Sequence, residues 1–241
     1  MMKRFFAIAL FVLGLGQLYA QPVRDTAWTK AGYFGLKLTQ VSLSSWSAGG
    51  ESALAFDSQI TYSADFKRDR QLWQNRLELG YGLTKNDGKS ARKTNDKIYF
   101  ASTYGYQIYK TLYWSALLNF NTQFAKGYDY NIEDSDFISK FMAPGYLMIG
   151  TGVTWSPNKI FTATFTPASW RGTIVADSRL SDEGAFGVDK GKHLLSEFGA
   201  NLKAEVNYEF LPNMKVYSRL ELYSNYLEDP QNVDVRWEVQ L

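Results

Sequence analysis

The chain has 241 residues, with 26 basic and 24 acidic side chains, one histidine and no cysteine. Disulfides, thiolate metal sites, a cysteine nucleophile and any paired-histidine metal motif are thereby excluded. Lys3 and Arg4 carry the whole net charge of +2, so the chain beyond residue 20 is neutral and lacks the basic surplus of a nucleic-acid binder.

Residues 1–20 read as a secretory signal peptide: Lys3 and Arg4 form the charged start, Phe5 to Leu15 the apolar stretch, and Leu18-Tyr19-Ala20 the cleavage site. No apolar run of 18 residues follows, which excludes a helical membrane protein. Residues 21–31 are expected to be a periplasmic lead-in, and 32–241 the folded domain.

From Gly32 onward apolar and polar residues alternate. The longest example is Phe198, Ala200, Leu202, Ala204, Val206, Tyr208 and Phe210, a period of two over 13 residues. Alternate strand side chains point to opposite faces, so each such segment is a strand with one apolar and one polar face. In chain order the pattern predicts ten strands, near 33–45, 54–66, 73–83, 98–109, 114–124, 147–156, 160–166, 198–210, 214–222 and 233–241. In the first, the apolar phase slips between Leu38 and Val41, which predicts a bulge.

Many of these strands exceed the common soluble length of about 5–6 residues and suit a tilted membrane strand of about 9–11. The connections near 67–71, 110–111, 156–159 and 211–213 are tight. Those near 46–51, 85–97, 126–146, 168–196 and 227–232 are longer. Such alternation fits a barrel with short periplasmic turns and longer outside loops. On the apolar face Phe66, Trp73, Trp114, Trp155, Phe161, Tyr208 and Phe210 flank the tight turns, as membrane-interface aromatics do. The predicted fold is all-β: an up-and-down antiparallel transmembrane barrel of the outer membrane.

The polar face of strands eight to ten carries both charges: Lys203, Lys215, Arg219 and Arg236 with Glu197, Glu205, Glu209, Glu221, Asp234 and Glu238, and the third strand adds Arg76 and Glu78. Arg76, Glu78, Lys203, Glu205, Arg219, Glu221, Arg236 and Glu238 are expected to face the lumen as a ladder. Four charges of strands nine and ten, Arg219, Glu221, Arg236 and Glu238, would otherwise sit in lipid at several kcal/mol each. Ten to twelve strands lie between a filled eight-stranded barrel and a porin, so a wide pore is not expected.

Chemistry-bearing motifs are sparse. His193 stands near Ser196 and Glu197, the parts of a nucleophilic triad, but no Gly-x-Ser-x-Gly elbow accompanies them and a solvated histidine is expected. Glu133, Asp134 and Asp136 lack the spacing of a calcium loop. Lys85, Lys89, Arg92, Lys93 and Lys97 make one outside loop basic, a candidate contact for lipopolysaccharide. Trp46 to Gly50 reads as a tight outer turn. Gly80, Gly82, Gly150 and Gly152 alternate on strands and are expected to let neighbouring inward side chains pass. No catalytic, cofactor or metal residue is assigned.

Six phrases resemble a family of outer-membrane proteins typical of Bacteroidetes, domain of unknown function 3078. They are 41–50 (VSLSSWSAGG), 92–96 (RKTND), 122–128 (TQFAKGY), 143–146 (APGY), 184–188 (GAFGV) and 232–237 (NVDVRW). The resemblance implies an outer-membrane barrel and brings no catalytic residues. It also implies two further strands beyond Leu241, hence twelve if the chain is a piece and ten if it closes on itself. The expected function is a non-enzymatic barrel, either a narrow channel for small polar solutes or a structural and interaction protein. The alternative is an outer-membrane hydrolase. The expected partners are outer-membrane lipid, lipopolysaccharide and the barrel-assembly machinery, with no cofactor.

Overall fold

The computed structural model describes residues 27–43, 51–132, 136–212 and 214–240. The expected signal peptide, residues 21–26 and the Trp46 to Gly50 turn lie outside them. The strands are β1 (Trp28–Val41), β2 (Ala53–Arg68), β3 (Gln71–Asn86), β4 (Arg92–Tyr109), β5 (Leu112–Thr122), β6 (Gly127–Tyr128), β7 (Phe137–Ser139), β8 (Gly145–Trp155), β9 (Phe161–Ile174), β10 (Leu194–Leu211), β11 (Met214–Asn225) and β12 (Val233–Gln240). Between β9 and β10 lie the short helix α1 (Ser178–Asp182) and a 3-10 turn (Ala185–Gly187).

Ten strands form one antiparallel sheet in the order β1-β2-β3-β4-β5-β8-β9-β10-β11-β12, and β6 pairs with β7 in a separate small hairpin. Every neighbour in the large sheet is antiparallel. The connections therefore alternate ends: 69–70, 110–111, 156–160 and 212–213 at one, and 42–52, 87–91, 123–144, 175–193 and 226–232 at the other. Asp69 and Lys110 take positive φ of 51° and 24° in the two tightest turns.

The sheet is apolar on its open side. Phe56, Trp73, Trp114, Phe165, Leu202, Val235 and Trp237 are exposed, Trp237 at 72%. Ser115, Thr164, Thr166, Ser169 and Asn201 are buried on the opposite face. A soluble sandwich buries the apolar set instead. The polar face is concave: Arg171 of β9 reaches Asp234 of β12 at 3.0 Å, although two strands lie between them. In a flat sheet with strands about 4.8 Å apart, they would be roughly 14 Å apart. Among the described residues β1 and β12 are not paired with each other.

Several sequence-based boundaries move. β1 starts at Trp28, inside the expected lead-in, and pairs with β2 without a register break, so the predicted bulge is absent. The phase slip has a simpler cause: Gln40 occupies the outward position after Leu36 and Leu38, opposite Leu54. β9 does not stop at Thr166 but runs through Pro167 to Ile174. Proline cannot donate to a ladder, and the register shifts beside it on both sides, between Thr151 and Val153 and between Gly199 and Asn201. The basic loop shrinks to 87–91, because β3 and β4 continue outward to Asn86 and Arg92.

The one apolar cluster among the described residues lies at the loop end, outside the sheet. Ala143, Val175, Leu180 and Val188 are buried there, with Phe137, Ala185, Phe186 and Leu195 packed on them. Two loops thus dock on each other over that end of the concavity.

Candidate functional site

The concave face is filled toward the tight-turn end and open toward the loop end. In the filled part Ser115 Oγ donates to Thr154 Oγ1 at 2.8 Å, and Thr154 and Thr164 share a hydroxyl contact of 3.0 Å. Gly150 leaves room for Thr166, whose Cγ2 would stand 2.6 Å from an added Cβ. At the loop end of β3, Gly82 makes room for Asp57, which accepts from Asn95 Nδ2 at 3.0 Å.

Toward the loop end the wall encloses a cavity of about 720 Å³, reaching from Glu78 of β3 round to Arg236 of β12. Its charges are mostly paired. Glu78 receives Arg76 Nε at 2.5 Å and also Lys97. Arg219 Nη2 binds Glu238 at 2.5 Å, its direct register partner. Outside the cavity, toward the tight turns, Lys203 and Glu205 of β10 stand 3.2 Å apart. Glu221 and Arg236 are also register partners, yet no ion pair joins them. Glu221 accepts from Asn201 Nδ2 at 3.1 Å instead.

The most connected cation, Arg171, is absent from the sequence-based polar face, whereas its partners Glu197 and Asp234 are on it. Arg171 binds Glu197 in a two-toothed grip at 2.6 and 2.7 Å, reaches Asp234 at 3.0 Å, and lies 3.9 Å above the Tyr223 ring. It falls just beyond Pro167, where the alternation suggested a loop.

The loop-end rim is locked by segments that carry the family resemblance. The buried Asp96 carboxylate accepts the backbone N–H groups of Phe124 and Ala125 at 2.7 and 3.0 Å and pairs with Lys93 at 2.7 Å. Thr122 Oγ1 donates to the Pro144 carbonyl at 2.9 Å and accepts from the Met142 N–H at 3.0 Å. Asp177 caps α1 by accepting the Leu180 N–H at 3.0 Å, and binds Lys140 of the other loop at 2.5 Å. The Lys140 ammonium, with the Leu180 N–H, holds the Asp177 carboxyl below the usual carboxylate range.

Most of the basic loop is used internally. Lys89 binds Glu51 at 2.7 Å, which lowers the Glu51 pKa, while Lys93 and Lys97 pair with Asp96 and Glu78. Arg92 lies 5.3 Å from the Tyr130 ring centre. Only Lys85 of the five cations has no such contact among the described residues.

The three parts of a triad are not brought together. His193 is exposed, as expected of a solvated histidine, and its Nδ1 contacts the Val175 carbonyl at 2.7 Å at the base of the loop. Ser196 accepts from Trp170 Nε1 on the convex face at 2.6 Å. Glu197, its chain neighbour, faces the opposite way into the cavity with Arg171. Among the described residues no group of three acidic or histidine side chains could hold a metal ion, and Glu133 and Asp134 lie outside them. No helix of the described residues is long and apolar enough to cross a membrane.

The aromatics expected at the membrane interface lie on the convex face near the tight turns. Trp73, Trp114, Trp155, Tyr208 and Phe210 are exposed, and Phe66 and Phe161 are half-buried. Trp28, not foreseen among them, packs 5.3 Å from Phe66 and 5.7 Å from Trp73, and Trp155 lies 5.7 Å from Phe161.

No curated protein and no solved structure matches the chain. A family model does match residues 38–128, from the second half of β1 to β6. Three of the six phrases, 41–50, 92–96 and 122–128, fall within that stretch. Over it the chain is similar to the family described as Protein of unknown function (DUF3078), the family its phrases resemble.

Proposed function

We propose that the chain is an exported outer-membrane protein whose sheet closes into a barrel and admits small polar solutes through its concave interior. The observation that carries this reading is the inversion of the faces. The convex side is apolar and open, and the concave side is polar and charge-paired. In water that arrangement would expose Leu202, Leu220 and Val235 at a cost of about 25 cal/mol per Å². Lipid removes the cost.

Closure follows from the same solvent. A sheet edge in hydrocarbon leaves backbone groups without partners, at several kcal/mol each, so only closed barrels persist there. The partially filled interior suits a narrow path rather than a diffusion pore. Lipopolysaccharide would surround the rim, and the barrel-assembly machinery would insert the chain.

The test is refolding into detergent and reconstitution into planar bilayers. The reading predicts insertion and small discrete conductance steps, well below those of a sixteen-stranded porin. A chain that stays monomeric in water without detergent and leaves bilayers silent contradicts it.

A further inference from the structure

Two opposite charges of the cavity wall stand on neighbouring strands with no ion pair between them, Arg236 exposed and Glu221 half-buried. Glu221 on β11 and Arg236 on β12 are register partners and both line the cavity. Glu221 has a single hydrogen bond, from Asn201, and Arg236 has no hydrogen bond or ion pair among the described residues. The other cations lining the cavity, Lys97, Arg171 and Arg219, each hold a carboxylate.

We propose that this cavity binds a small zwitterion, of the chemistry of a short peptide, with its carboxylate toward Arg236 and its ammonium toward Glu221. The proposal deepens the solute-admitting reading above and rests on it for the enclosure of the cavity. A simple anion would meet Glu221, and a simple cation Arg236. A neutral solute would leave both charges bare. Neighbouring strands are about 4.8 Å apart, and two peptide residues span at most about 7 Å, so a dipeptide's termini match the two side chains. The cavity of about 720 Å³ is ample for such a ligand, within the roughly 300–1,000 Å³ of small-molecule sites. Phe186, Leu195 and Met148 in its wall offer apolar surface for a side chain.

The experiment is calorimetric titration of the full chain, refolded in detergent, with L-alanyl-L-leucine, its N-acetylated form, its C-terminal amide, and glucose. The dipeptide should bind, and each blocked form should bind at least about tenfold more weakly, as loss of one charge-assisted contact implies. Glu221→Gln should erase the preference over the acetylated form, and Arg236→Gln the preference over the amide. No binding of the dipeptide, equal binding of the blocked forms, or tighter binding of glucose would overturn the proposal. The blocked ligands need no variant, so a misfolded mutant cannot hide the answer. Conductance without dipeptide binding sinks this inference alone, and binding without conductance sinks the channel reading alone.

Discussion

Trp73, Trp170 and Trp237 each carry an indole N–H onto the convex face, where hydrocarbon would offer it no partner. Each donates to a serine on the next strand, Ser102, Ser196 and Ser218, at 2.8, 2.6 and 3.0 Å. In all three the serine lies two residues before the tryptophan's register partner, which is Tyr104, Phe198 or Leu220. The three polar residues on an apolar face thus have one explanation. Ser218→Ala should cost about 1–3 kcal/mol in a folding titration in lipid, the range for leaving a buried donor unpaired. The cost should vanish in a Trp237→Phe background, because the donor is then gone.

Asp177 gives a pH-dependent prediction at the same scale. Lys140, helped by the Leu180 N–H, lowers its pKa in the folded state. The carboxylate therefore contributes stability that is full above its unfolded pKa and is lost as pH falls through the lower folded value. Asp177→Ala should loosen the docked loops by about 1 kcal/mol at neutral pH, as loss of a helix cap does. Amide hydrogen exchange over residues 175–193 would register it. The gap between variant and parent should close in strong acid; a gap that widens as pH falls would contradict the assignment.

At the scale of the strand, the sheet was legible wherever its outer face is apolar. β10 and β11 show period two because Leu202, Val206, Leu220 and Leu222 share one face while the charges share the other. Where both faces are polar the alternation disappears, so the extension of β3 to Asn86 and the start of β4 at Arg92 read as loop. Pro167 hid the far half of β9, and with it Arg171 and the principal ion-pair cluster. Which charges are neighbours was readable from spacing. Which of them actually join was not, because register and side-chain reach decide it. Arg219 takes Glu238, while Glu221 takes Asn201.

Two strand-level measurements follow. Glu238→Gln strands Arg219 and should lower stability by about 1.5–3 kcal/mol, the range for a hydrogen bond to a charged group. Glu221→Gln strands no cation and should cost less in the same denaturant titration. Leu220→Arg places a charge on the convex face near mid-strand and should cost roughly 2–4 kcal/mol in a bilayer. A neutral result there would place Leu220 away from the lipid midplane.

At the scale of the whole molecule, the account rests on which solvent each face meets. The ten strands, the aromatic set near the tight turns and the docked loops at the other end all follow one axis. Under the proposed reading, the edges of β1 and β12, unpaired among the described residues, would close on each other in the membrane. The absence of cysteine makes the decisive measurement clean. Single cysteines placed along β10 and β11 in the chain reconstituted in liposomes would be probed with a membrane-impermeant thiol reagent and with a lipid-soluble quencher. The account predicts strict alternation: positions 202, 206, 220 and 222 quenched from lipid and inert to the aqueous reagent, and positions 203, 205, 219 and 221 the reverse. Aqueous labelling of both sets, or lipid quenching of neither, would contradict it.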